Sequence, residues 1–201
     1  TYNMSIDCLE SKLIQAQALD KLPKVLVVVH LCGQPCDMVS INKLSKTYGF
    51  KVIEDASHAI GAKYEGGYVG NSQYSDITVF SFHPVKIITT GEGGIAVTNN
   101  PSLAAAMNLY RGHGITRDST LMTQPPDGPW YYEQLELGYN YRMTDLQAAL
   151  GLSQLDRLDS YVSARKALAS RYDLLLAQLP LTLPWQHPSG KSAWHLYVIR
   201  L

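Results

Sequence analysis

The chain has 201 residues, of which 46% are apolar, so it can bury a hydrophobic core in one domain, or in one domain and part of a second. Its 17 basic and 17 acidic residues cancel, which argues against a general polyanion binder, and no apolar run is long enough to cross a bilayer. We therefore expect no nucleic-acid partner and no membrane partner.

The three cysteines indicate a reducing compartment. Cys8, Cys32 and Cys36 are odd in number and lack the spacing of a disulfide framework or of a CxxC motif. No second ligand pair follows Cys32 and Cys36, so we interpret them as two free thiols in a turn. With no visible signal peptide, these features predict a cytoplasmic protein that binds no metal.

The first quarter of the chain has the pattern of a strand–helix–strand unit. Apolar residues at helical spacing predict an amphipathic helix over residues 5–19, and Val25–Val29 is an apolar run typical of a strand buried on both faces. Asp37 is placed to cap a second helix that Gly49 ends, and Lys51–Glu54 is the next strand. This order indicates a parallel crossover.

Two further strands, a helix and a long loop follow. The strands are predicted at Ile77–Phe82 and Ile95–Thr98, and Asn100 followed by Pro101 predicts a helix that runs to Arg111. Residues Gly112–Gly138 show no periodicity. We interpret this segment as a functional loop, because loops of this length are otherwise uncommon in compact domains.

The last third of the chain is predicted to be a long helical region and the start of a second domain. Apolar spacing predicts helix from Thr144 to about residue 179, with a break at Gly151. Trp194–Leu201 has the pattern of a strand. We expect a large domain over 1–143, an interdomain helical region over 144–180 and the start of a small C-terminal domain over 181–201.

Three polar side chains follow predicted strands. Asp55 ends one strand, Ser81 lies at the end of another, and Lys86 comes shortly after it. Alone, such an aspartate is usually a cap or ion-pair partner, and such a lysine is usually solvated. Together at the carboxyl edge of a parallel sheet they suit one cofactor, pyridoxal phosphate (PLP), which needs an amine for a Schiff base and a carboxylate for its pyridine nitrogen.

Several motifs around these residues resemble the DegT/DnrJ/EryC1/StrS nucleotide-sugar aminotransferases, in family order over essentially the whole chain. They are HLCGQPCDM at His30–Met38, EDASHAIG at Glu54–Gly61, FSFHPVK at Phe80–Lys86, TGEGG at Thr90–Gly94 and GYNYRM at Gly138–Met143. The resemblance implies an α/β fold, the fold type I of PLP-dependent transferases, also called aspartate aminotransferase-like. Its large domain has a mostly parallel sheet with helices on both faces.

The same resemblance implies roles for individual residues. Lys86 is expected to be the Schiff-base lysine, Asp55 the partner of the pyridine nitrogen, His58 a neighbour of the ring and Ser81 a phosphate ligand. Asn140 matches an asparagine that reaches the phosphate of the neighbouring subunit, which implies a homodimer with a shared active site. Tyr139, Tyr141 and Arg142 flank that contact, and for His30 and His113 both structural and functional roles are open.

The wording of three segments is nearest to the pseudaminic-acid branch of the family. These segments are His83–Gly94, Arg111–Asp118 and Gly128–Gln134. The branch implies transfer of an amino group from L-glutamate to C4 of a UDP-linked 4-keto-6-deoxy N-acetyl sugar, UDP-4-amino-4,6-dideoxy-N-acetyl-β-L-altrosamine being the product, for a surface glycan. Family members also carry an N-terminal segment that this chain lacks, so we expect the natural protein to be longer.

Other functions are left open by the sequence. One is an aminotransferase for another 4- or 3-ketosugar, and another is a catalytically inactive paralogue or interaction domain. Family relatives that dehydrate sugars carry histidine at the Schiff-base position, and Lys86 argues against that reaction. A plain nucleotide-binding Rossmann protein is disfavoured because no GxGxxG turn follows the first strand.

Overall fold

Helices and strands alternate over residues 1–55, strands alone follow up to residue 97, and three helices lie in the second half of the chain. The computed structural model describes residues 1–201. In chain order the elements are α1 (Ile6–Ala18), β1 (Val25–Val29), a 3₁₀ turn (Leu31–Gly33), α2 (Met38–Tyr48), β2 (Lys51–Asp55), β3 (Lys63–Tyr64), β4 (Gly67–Tyr68), β5 (Ile77–Ser81), β6 (Gly94–Val97), α3 (Pro101–Arg111), β7 (Ile115–Thr116), β8 (Glu133–Gln134), α4 (Asp145–Leu155), α5 (Leu158–Leu176) and β9 (Gly190–Lys191).

The central sheet has four strands in the order β1–β2–β5–β6. β1, β2 and β5 are parallel, and β6 runs antiparallel to β5. Because parallel neighbours cannot be joined by a tight turn, α2 crosses over between β1 and β2. The predicted α/β class with a mostly parallel sheet is therefore confirmed.

The predicted caps of α2 are present. The Asp37 carboxylate accepts a hydrogen bond of 3.1 Å from the backbone N–H of Ser40, which satisfies a free donor in the first helical turn. Gly49 ends the helix in the left-handed conformation, with φ of 79°, and its N–H donates to Ser45. The chain thus turns directly into β2.

The main hydrophobic core lies between α1, α2 and one face of the sheet. Its buried members are Leu9, Leu13, Val28, Cys36, Met38, Ile41, Leu44, Phe50, Val52 and Tyr64. The opposite face of β1 is open: Val25, Val27 and Val29 are 47%, 52% and 41% exposed. The expectation that β1 is buried on both faces is therefore wrong, because α1 and α2 cover only one face of this edge strand.

The long loop and the helical region differ from their predictions. Residues 112–138 contain a short antiparallel pair, in which Ile115 pairs with Gln134 and Thr116 with Glu133. The break in the helical region lies at Asp156–Arg157 and not at Gly151. A Cβ at Gly151 would lie 2.8 Å from the Thr90 side chain, so this glycine allows close packing and does not end the helix. No helix combines the length and apolarity that crossing a bilayer requires.

The C-terminal segment, residues 181–201, packs back on the first half of the chain. β9 pairs with β3, and the Gln34 side chain bonds both the carbonyl of Trp185 and the N–H of His187. The strand expected over residues 194–201 is absent because these residues pair only through an isolated bridge between Thr182 and Arg200. The division into 1–143, 144–180 and 181–201 stays a prediction.

The left-handed turn at Gly49 gives a test of local stability. A Cβ at this position would meet no atom within 4 Å, so the effect of Gly49→Ala comes from the backbone conformation alone. We expect Gly49→Ala to lower the free energy of unfolding by about 1 kcal/mol, because left-handed φ values are unfavourable for residues with a Cβ. Gly49→Asn should lose less in the same denaturant titration, and an alanine variant as stable as the parent would contradict the assignment.

Candidate active site

The polar residues of interest meet at the carboxyl edge of the parallel sheet. Asp55 is the last residue of β2, where it lies between Val29 of β1 and Val79 of β5. Ser81 is the last residue of β5. Because parallel strands end on the same side of a sheet, the loops that follow β2 and β5 emerge side by side, and ligands of such sheets bind at this edge.

Only one oxygen of the Asp55 carboxylate accepts a hydrogen bond from the protein. One oxygen accepts a 3.0 Å hydrogen bond from the N–H of Ser57, which orients the side chain in a local turn. The carboxylate forms no ion pair; the ion pairs of the structure are His30–Glu54, Lys51–Asp76 and His83–Glu92. Asp55 therefore retains an oxygen for a further hydrogen bond.

Lys86 is held by a tightly anchored loop while its amine stays unpaired. Phe82 fixes both ends of the loop: its N–H donates to Gly93 and its carbonyl accepts from Thr90. The residues after the lysine, Ile87 and Ile88, are 6% and 3% exposed and anchor the loop in the protein interior. The Lys86 amine forms no ion pair, including none with Asp55.

His58 lies three residues after Asp55 and is oriented by a backbone hydrogen bond. Its Nδ1 accepts a 3.3 Å hydrogen bond from the N–H of Cys32. The pKa of His58 lies below its usual range, chiefly because burial disfavours the charged imidazolium; the Lys86 charge lowers it further and the Asp55 charge opposes both. Ile87 lies in one buried cluster with Ala56 and Ala59, so the loop that carries Lys86 packs beside the segment that carries Asp55 and His58.

Ser81 lies at the start of the loop that carries Lys86, whereas Asn140 pairs with a different part of the chain. The Ser81 hydroxyl accepts a 3.4 Å bond from the N–H of His83, at the start of the lysine loop. Asn140 is exposed and bridges to Gly112 through its backbone, next to the stacked rings of Tyr139 and Tyr141. The structure does not bring the Asn140 side chain into contact with Asp55 or Lys86.

His30 has a structural environment. It is fully buried, its Nδ1 accepts from the N–H of Cys36, and its Nε2 lies 2.7 Å from a carboxylate oxygen of Glu54. Since Nδ1 is an acceptor, Nε2 carries the proton and donates it to Glu54. The other Glu54 oxygen accepts from the hydroxyls of Ser75 and Thr78.

The charge of Glu54 persists in the protein interior because of these partners. Burial alone would raise the pKa of Glu54, but the hydrogen bond from His30 and the two hydroxyl bonds together lower it below its usual range. His113, by contrast, adopts a positive φ of 64°, and its backbone N–H and carbonyl bond Tyr139 and Gln134. The His30 backbone N–H donates a 3.0 Å hydrogen bond to the Asp55 carbonyl, but neither histidine side chain hydrogen-bonds to Asp55, Ser81 or Lys86.

One residue near the site was missed by the sequence analysis. The His195 ring packs on the His58 ring, with centroids 4.4 Å apart and an interplanar angle of 36°. Burial and the charges of His58, Lys86 and Arg165 lower the pKa of His195 to about 4. A contact between positions 58 and 195 leaves no local pattern, so sequence spacing gave no signal for it.

A separate cleft lies between α5 and the sheet formed by β4, β3 and β9. It has a volume of about 490 Å³ and three lysines, Lys63, Lys166 and Lys191, among its lining residues. Neither Asp55 nor Lys86 lines this cleft. We therefore place the candidate active site at Asp55, His58 and Lys86, and not in this cleft.

The depressed pKa of His195 predicts a pH-dependent stability. Its folded pKa of about 4 lies below the ordinary value of 6.5, so the unfolded chain binds more protons between these values. The contribution is complete above pH 6.5 and is lost as the pH falls toward 4. Melting temperatures should therefore fall less steeply over this window in His195→Phe than in the parent. The exposed His83→Phe is the control, and equal slopes for all three would contradict the assignment.

Comparison with known proteins identifies the family to which the chain belongs. The family model for the DegT/DnrJ/EryC1/StrS aminotransferases matches residues 1–201. The chain is 40% identical over 179 residues to the spore coat polysaccharide biosynthesis protein SpsC of Bacillus subtilis, covering 89% of this chain and 45% of that protein.

Solved structures agree with this relationship. Helicobacter pylori PseC, an aminotransferase of pseudaminic acid biosynthesis, superimposes with a TM-score of 0.84 at 33% identity, over 98% of this chain and 49% of PseC. The sugar aminotransferase Spr1654 of Streptococcus pneumoniae, solved in its PMP form, gives a TM-score of 0.83 at 32% identity, over 100% and 53%. The chain spans about half the length of these relatives, and it belongs to the DegT/DnrJ/EryC1/StrS aminotransferase family.

Proposed function

We propose that this chain carries the lysine and carboxylate of a PLP-dependent nucleotide-sugar aminotransferase. One observation carries the proposal: Asp55 and Lys86 follow neighbouring parallel strands at one edge of the sheet, and the residues beside them, Ala56 and Ile87, belong to one buried cluster, yet Asp55 and Lys86 form no ion pair with each other. An amine and a carboxylate at the same sheet edge, each with unused bonding capacity, suit a polar ring that takes both as partners.

The residues present fit the cofactor. The Lys86 amine would bind its aldehyde carbon, the unpaired oxygen of Asp55 would accept the pyridinium proton, and the Ser81 hydroxyl would contact its phosphate. When bound, the cofactor supplies an electron sink for the electrons left when a Cα–H bond of the amino donor is broken. Asp55 maintains that capacity because a carboxylate favours the protonated ring nitrogen.

Lys86 would have a second role whenever its amine is free. The amine would act as a general base that removes the Cα proton of the donor and as a general acid that returns it one position away. A positioned proton carrier of this kind contributes about 10²–10⁴-fold in rate. The buried Ile87 and Ile88 suit this role, because they restrict movement of the loop that holds the amine.

We infer that the donor is L-glutamate and that the acceptor is C4 of a UDP-linked 4-keto-6-deoxy N-acetyl sugar. The similarity to PseC supports this choice. A second candidate is a different nucleotide ketosugar, because the identity to SpsC is higher, at 40% against 33%. Product analysis with UDP- and dTDP-linked 4- and 3-ketosugars separates the two: amination of the UDP-4-keto sugar alone supports the first, and preference for another acceptor supports the second.

The role of Lys86 is tested by reduction. The protein, expressed with its natural termini and loaded with PLP, is treated with borohydride and its peptides are mapped. We expect pyridoxyl on Lys86, and we expect Lys86→Ala to lose both the label and the half-reaction with glutamate. Lys51→Ala is the control, because Lys51 is exposed and paired with Asp76. Pyridoxyl on any other lysine would overturn the assignment.

We further propose a homodimer in which Asn140 contacts the phosphate in the partner's site. The exposed position of Asn140, out of contact with Asp55 and Lys86, is compatible with this. Mixed dimers of Asn140→Ala and Lys86→Ala subunits should then regain one working site of two, which restores activity that neither parent homodimer shows. Mixtures that stay as inactive as the homodimers would argue against a shared site, and size-exclusion chromatography checks that mixed dimers form.

A further inference from the structure

The C-terminal segment reaches the site through a very close backbone contact at Gly33. The N–H of Ala193 donates to the Gly33 carbonyl at 3.0 Å, and the N–H of Leu196 donates to Cys32 at 3.3 Å. A Cβ at Gly33 would lie 2.8 Å from the His58 carbonyl and 3.0 Å from the N–H nitrogen of His195. Only glycine permits this approach, which brings His195 beside His58.

The backbone around His195 is fixed in an uncommon conformation. Trp194 has a φ of 52°, in the left-handed region that residues with a Cβ rarely adopt. The Arg165 guanidinium donates 3.2 Å hydrogen bonds to the carbonyls of both Trp194 and His195. Strained residues that are fixed in this way are concentrated at functional sites.

The two nitrogens of His195 have opposite environments. Nδ1 is buried and has no hydrogen-bond partner. Nε2 also has no partner in the protein, but it is not buried. A proton on Nδ1 would be a buried N–H without an acceptor, which is costly. The neutral tautomer with the proton on Nε2 is therefore favoured, and that N–H faces the accessible side.

His58, like His195, has its proton on Nε2. Its Nδ1 accepts from Cys32, so its proton also resides on Nε2. Burial, and to a lesser extent the Lys86 charge, lowers the pKa of both rings. Two uncharged imidazoles, tilted at 36° to each other, therefore offer Nε2–H donors. The role proposed for His58 lies with the cofactor, and His195 remains without one.

We propose that His195 is a substrate-binding residue whose Nε2–H donates a hydrogen bond to an uncharged oxygen of the acceptor sugar. This inference rests on the proposed function. An uncharged donor suits a hydroxyl or carbonyl oxygen better than the carboxylate of the amino donor, because an anion gains most from a positively charged partner. Ala193, two residues before His195, lies in one buried cluster with Ile87, the residue after Lys86, so this donor lies beside the loop that carries the amine.

Three substitutions at position 195 separate hydrogen bonding from packing. His195→Phe keeps a ring against His58 and removes the N–H, His195→Ala removes both, and His195→Gln places an amide N–H near the position of Nε2. The PLP-loaded protein with its natural termini is used. Two rates are measured: the spectral half-reaction with glutamate, and kcat/KM for the preferred ketosugar. Calorimetric binding of the matching UDP-sugar to each variant gives a readout independent of turnover.

We expect His195→Phe and His195→Ala to keep the glutamate half-reaction within about twofold and to lose about 10- to 100-fold in kcat/KM for the ketosugar, the range of one hydrogen bond in a desolvated site. His195→Gln should recover much of the loss, and sugar binding should follow the same order. Parent-like sugar kinetics in His195→Phe, or no recovery in His195→Gln, would overturn the inference. A parent protein without the glutamate half-reaction would instead overturn the proposed function.

Discussion

The parallel pairing of β2 between β1 and β5 is the constraint on which the site depends. In this register the last residue of β2, Asp55, lies level with Val29 and Val79, so both following loops begin at one edge of the sheet. The buried His30–Glu54 pair also stabilises the pairing of β1 with β2, because His30 directly follows β1 and Glu54 precedes Asp55 in β2. Loss of one partner would leave a buried polar group unsatisfied, which is among the most costly defects in a protein interior.

A second constraint brings distant parts of the chain to this edge. Ala193 of the C-terminal segment is fully buried in a small cluster with Ala56, Ala59 and Ile87, next to the residues proposed for catalysis. Small side chains in this cluster let backbones approach closely, as glycine does at position 33. The site therefore consists of three segments that lie far apart in sequence and are held by packing as well as by hydrogen bonds.

The electrostatic character of the site follows from the same arrangement. Lys86 has no carboxylate partner, and burial lowers the pKa of the two partly buried imidazoles, His58 and His195. An unpaired amine and two neutral donors form an environment suited to a reactive, electron-poor ligand and to an uncharged substrate oxygen. The basic cleft lined by α5 and β9 lacks this chemistry although it is roomy.

The local signals in the sequence predicted most of the strands of the sheet and the caps of the helices. Asp37, Gly49 and the Asn100–Pro101 pair act within a few residues of themselves, so their effects can be recognised without the fold. The exposure of β1, the role of Gly151 and the course of residues 194–201 depend on which elements pack together. The contact between His58 and His195 belongs to this second kind, and only the tertiary structure reveals it.

A crystal structure of the PLP-soaked protein with its natural termini tests the central claim most directly. We expect one flat ring between Lys86 and Asp55, with its aldehyde carbon bonded to Nζ of Lys86. The ring nitrogen should lie about 2.7–2.9 Å from the Asp55 carboxylate, as expected for a charge-assisted hydrogen bond. A cofactor bound elsewhere, or Lys86 and Asp55 facing separate pockets with no room for a ring between them, would contradict it.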